Sequence, residues 1–186
     1  MHIVNLEEIQ GIKLRIPELI QHFENRNTEF TSLTKEWLVE AEKVLTNNRM
    51  TVAADVSILR GVLISAERGV IPSGIIFSGK TTARKIKDAT SVDVLQKADK
   101  IISAAIEVPV AQITEGERLT RQVVALAIRK GIVQKENSQE HSELLREIWR
   151  KMSLDPELQP VTTHIIGLVG AYDALILLDR SLSLLE

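Results

Sequence analysis

Cysteine is absent from the 186-residue chain, which excludes disulfides, thiolate metal sites and cysteine nucleophiles together. Aromatic residues are almost as scarce, with three Phe, two Trp and one Tyr. The core must therefore come from Leu, Ile, Val and Ala, a composition that favours helix packed on helix. So few rings also speak against a single-strand nucleic-acid platform built on stacked bases.

Neither sign of charge dominates. With 23 Lys and Arg against 25 Asp and Glu the formal net charge is -2, so no global field gathers phosphate backbones or anionic membranes, and any such binding has to be local. His2, His22, His141 and His164 lack the i, i+3 or i, i+4 pairing of a helical metal site, and there is no Glu-x-x-His. Arg15 and His22 stand at the loosest spacing of the Arg-His motif of helical ribonucleases of the HEPN class, but Pro17 lies between them.

Long apolar runs are missing too. The stretch from Ile165 to Leu178 contains Asp173 and falls short of the roughly 20 residues a bilayer requires. The opening MHIVNLEEIQ lacks the features of a signal peptide. The expectation is a cytoplasmic protein with no membrane partner.

What is present is an ordinary globular balance, 44% hydrophobic and 26% charged. The expected fold is all-α, an irregular bundle of about six to eight helices with a central, mostly apolar C-terminal helix. Residues 1–186 are expected to form one domain, and two lobes, if present, would meet near 70–79. Leu6, Ile9, Ile12 and Ile16, then Leu19, Ile20 and Phe23, recur at helical spacing, with Pro17 dividing or kinking the segment. Phe30, Leu33, Trp37, Ala41, Val44 and Leu45 form a second stripe, ending at Asn47-Asn48. A third helix over 52–66 should stop at Gly69, with Val70 and Ile71 packing back on the last turn.

The spacing then predicts a short helix over 80–87, one opening at Ser91 and ending before Pro109, and one over 115–130 with Leu119, Val123, Leu126 and Ala127 inward. Its stop, Lys130-Gly131-Ile132-Val133, repeats Arg68-Gly69-Val70-Ile71, which a shared capping solution explains as well as a duplication does. Asn137 and Glu140 read as a capping box for a helix with Leu144, Leu145, Ile148, Trp149 and Met152 inward, closed by Asp155-Pro156. Ile165 to Leu185 then reads as one central helix, approached closely by another at Gly167 and Gly170.

Four features could carry function. Gly74, Gly79, Lys80 and Thr81 fit the phosphate-loop pattern G-x-x-x-x-G-K-[ST], and Leu175 to Asp179 supplies a nominal metal-holding aspartate. The context opposes that reading: such a loop needs a buried strand before it, and the preceding segment reads as helix and cap, with Ser78 as the next N-cap. Lys80, Arg84 and Lys87 share one helical face, a local anion or nucleic-acid surface or simply a solvated one. Ile75, Ile76 and Phe77 are unusually apolar for a loop and are expected to tuck into the core or meet a partner. Asp173, alone in an apolar segment, should reach the surface or pair with an Arg.

No catalytic constellation, metal set or cofactor follows from these residues. The leading expectation is a non-catalytic interaction or assembly protein acting through self-association or a protein partner. The alternatives are a nucleic-acid-binding or RNA-processing accessory protein using the basic helix at 80–87, and a nucleotide-binding enzyme using the 74–81 segment.

Overall fold

Eight α-helices and no strand occur among the residues that the computed structural model describes, 1–76, 81–133 and 140–183. The fold is all-α, as the periodicity predicts. The chain divides into two compact units, Val4–Glu107 in the first and Met1–Ile3 with Val108–Glu186 in the second.

In the first unit, α1 (Ile3–Lys13) and α2 (Ile16–Glu24) are separate helices. Pro17 opens α2, where its missing N–H costs nothing. In α3 (Phe30–Asn47) the expected stripe is buried except at half-buried Leu33, and fully buried Trp37 donates its indole N–H to the Ile12 carbonyl at 3.0 Å. Helix α4 (Ala53–Glu67) packs along α3 and ends as the glycine predicts. Gly69 has φ +88°, its N–H reaches the Ala66 carbonyl, and the Val70 N–H reaches the Ser65 carbonyl. That is a Schellman stop, in which a residue without Cβ takes the left-handed conformation at no steric cost. Val70 and Ile71 do not pack back on it; both are exposed.

The largest departure from the expected pattern follows. In place of a short helix at 80–87, one from Ser91 to Pro109 and one over 115–130, a single helix α5 runs from Ala83 to Arg129. It opens at Thr82, whose hydroxyl oxygen accepts the Lys85 N–H at 3.3 Å. Ser91 is no cap: it is buried within the helix and donates to the Thr31 hydroxyl. Pro109 sits inside α5 although a mid-helix proline costs about 3 kcal/mol. Buried apolar side chains on both sides of it, among them Leu95, Ala98 and Ile102 before and Val123, Val124 and Ala127 after, outweigh that local cost. Leu126 faces out and Val124 takes its inward place. Gly131 then ends the helix with the same Schellman geometry as Gly69.

The core of the second unit joins that end of α5 to α6 (His141–Leu154), α7 (Gln159–Val169) and α8 (Ala171–Ser183). Leu145, Ile148, Trp149 and Met152 of α6 are buried as the spacing predicts, and Leu144 is half-buried. Asn137 of the expected capping box lies outside the described residues, and Glu140 is itself the N-cap residue of α6, without a side-chain bond. The expected continuous C-terminal helix is corrected: it breaks at Gly170, φ +88°, where α7 and α8 turn by 115°. Among the described residues no atom beyond their immediate neighbours lies within 4 Å of where a Cβ on Gly167 or Gly170 would stand. The close approach is at Gly116 on α5, where a Cβ would lie 2.9 Å from Val169 and 3.1 Å from Leu177. Among the described residues no single helix is long and apolar enough to cross a membrane.

Candidate functional site

Two surfaces of the first unit gather the residues singled out above. One is the aliphatic segment after α4. Gly69 turns the chain off the helix and Gly74, φ +93°, turns it again. Between and just beyond them Val70 is 57% exposed, Ile71 50% and Ile76 94%, while Ile75 is half-buried. Ile76 therefore does not tuck into the core. Phe77 lies outside the described residues.

The same stretch carries the phosphate-loop letters. Gly74 and Thr81 are described, in turn and irregular backbone; Gly79 and Lys80, with Ser78, lie outside the described residues. The segment before Gly74 is helix and turn, with no strand. Asp179 lies in α8 and accepts from the His141 ring at 2.7 Å.

The second surface is basic. Arg84 and Lys87 lie on the first turns of α5 and line one groove of about 220 Å³ with Thr28, Thr31 and Ser32. Arg84 also lines an adjoining groove of about 510 Å³ with Phe23, Arg26 and Lys85. The Arg84 guanidinium donates to the Arg26 carbonyl at 2.7 Å and stands 3.5 Å from Asp88. Arg26 itself has φ +55°, an unusual conformation for a residue with a Cβ, at a Schellman stop that ends α2. Arg26 carried no recognisable signal in the sequence and Phe23 read only as part of an apolar helical face, since only the end of α2 brings them beside α5. Lys80 lies outside the described residues.

The remaining candidates are used structurally. Arg15 pairs with Glu40, and the His22 ring bonds the Asn27 amide at 2.9 Å. Asp173 neither reaches the surface nor meets an Arg. It is 1% exposed, and its Oδ2 accepts from the Ile3 backbone N–H at 3.3 Å and lies 3.2 Å from His2 Nδ1. That carboxylate ties the start of the chain to the N-terminal turn of α8, where a negative charge is favoured. At the end of α5, Lys130 bonds Asp155 at 2.8 Å, which with the Glu157 and Leu158 N–H groups holds that carboxyl below its ordinary range. No group of three His, Asp or Glu comes together in metal-binding geometry among the described residues.

Comparisons of the chain with protein-family models, with curated proteins and with solved structures found no match.

Proposed function

We propose that the protein is a helical interaction module that associates through the aliphatic segment 70–76, with a second copy of the chain as the first partner to test. The observation that carries this reading is the exposure of Val70, Ile71 and Ile76 within seven residues. Scattered apolar surface is ordinary; a concentrated patch is what interfaces use.

The magnitude bounds the interaction. Fully burying an aliphatic side chain is worth about 1.5–3 kcal/mol, and the exposed fractions amount to about two such side chains, so covering the segment contributes roughly 3–6 kcal/mol. Association itself costs at least about 4 kcal/mol in lost freedom. The segment is thus an anchor that needs neighbouring contacts to give a tight complex.

The absence of cysteine makes a clean test available. A Ser73→Cys variant carries one thiol within the segment and leaves its aliphatic side chains in place, and an environment-sensitive fluorophore attached there should shift to the blue as protein concentration rises. Emission that stays water-like across the whole concentration range would refute self-association through this segment.

A further inference from the structure

We propose that the paired grooves beside the start of α5 bind the backbone of single-stranded nucleic acid, with Phe23 stacking one base. This is independent of the apolar segment and uses different residues.

The charge count decides whether a ligand with negative charge is favoured. Of the carboxylates lining the grooves, Asp88 pairs with Arg84 and Glu67 with Lys35, the latter at 2.9 Å. That leaves Glu24 as the one lining acid without a basic partner among the described residues. Against it stand Arg26, Lys85 and Lys87, none of which has a carboxylate partner among the described residues. The local surplus is positive although the chain as a whole is not.

The chemistry of the two grooves differs in a way that suits one nucleotide and its neighbouring phosphate. The smaller presents Lys87 beside the Thr28 and Ser32 hydroxyls, donors of the kind that hold phosphate oxygens. The larger has the volume of a small-molecule site and places the Phe23 ring, 40% exposed, beside Arg26 and Lys85. Phe23 is backed by Phe30, ring centroids 5.4 Å apart, so its face is held rather than free. A cationic groove with an aromatic wall is the arrangement that binds unpaired strands, in which every base offers a π-face. A duplex keeps its bases stacked inside and could use the cations but not the ring. Scarcity of aromatics limits the platform to one base and so the affinity, but does not remove it.

Fluorescence anisotropy with labelled oligo-uridine and oligo-thymidine, titrated at rising salt, tests the proposal. Three neutralised phosphates predict a log–log slope of about −2 for a single strand. Reversing Arg26, Lys85 and Lys87 together to Glu should abolish binding at the lowest salt. Phe23→Leu keeps an apolar group against Phe30 and should weaken binding by roughly 5- to 100-fold with the slope unchanged. No binding at the lowest salt overturns the proposal, as does binding that survives the triple reversal in a variant with wild-type circular dichroism. Equal affinity for a duplex of the same length, or for an acidic peptide, overturns it too, since either would reduce the site to a surface of general positive charge.

Discussion

Replacing Gly116 with alanine puts a methyl group 2.9 Å from Val169 Cγ1 and 3.1 Å from Leu177 Cδ1. The same change at Gly61, in the middle of α4, meets nothing within 4 Å. Both positions are helical, so each gains about 1 kcal/mol of helix propensity. At Gly61 nothing opposes the gain, and stability should rise by about that amount. At Gly116 the new methyl must displace a β-branched side chain that is stiff at χ1, and such overpacking costs about 1–3 kcal/mol. The net effect there should be a loss of about 1 kcal/mol.

Each unit carries one tryptophan, Trp37 in the first and Trp149 in the second. Urea unfolding followed by Trp149 in a Trp37→Phe background therefore reads Gly116, and the reverse background reads Gly61. Adding Val169→Ala to Gly116→Ala should make the pair less destabilised than the sum of the singles by about 1 kcal/mol. If Gly116→Ala stabilises as much as Gly61→Ala, the close approach of α5 to α7 and α8 is wrong.

Asp155 is held below its ordinary carboxyl value chiefly by Lys130, so its stabilisation is fully present above the ordinary carboxylate range and is lost as pH falls through and below it. Asp155→Asn should flatten the acid limb of a urea-midpoint profile below about pH 4, and an unchanged limb would contradict this. Pro109→Ala restores a donor to the Ala105 carbonyl and should stabilise α5 by about 2 kcal/mol in thermal unfolding, less than the full proline cost because the unfolded chain also gains freedom. A lower melting temperature would show that the helix needs its proline. Asp173→Ala strands the Ile3 N–H and should destabilise the second unit by about 1–3 kcal/mol, read from Trp149; a neutral result would mean the buried carboxylate costs as much as it contributes.

Helices with one buried stripe were legible in the sequence because their signal is local. The stripe from Phe30 to Leu45, the Pro17 division and the glycine stops at 69 and 131 follow from spacing and backbone freedom alone. Where local and tertiary terms oppose each other the local signal misled. Ser91 and Pro109 look like helix ends, yet burial on both sides carries α5 through them. Gly170 looked like a packing residue and is instead the break between α7 and α8. Arg26 and Arg49 take positive φ at helix stops without a glycine to announce them. The basic surface was half legible: Arg84 and Lys87 share a helical face, whereas Arg26 and Phe23 join them only through the fold.

The claim that most needs testing is association through Val70, Ile71 and Ile76. Light scattering should give the purified protein a mass above the 20.8 kDa of one chain, rising with concentration. The Ile71→Asp/Ile76→Asp variant should keep its helical circular dichroism, because exposed side chains hold no core together, and fall to the monomer mass. A wild-type protein that stays at the monomer mass throughout, or a double variant that assembles as the wild type does, would contradict the account.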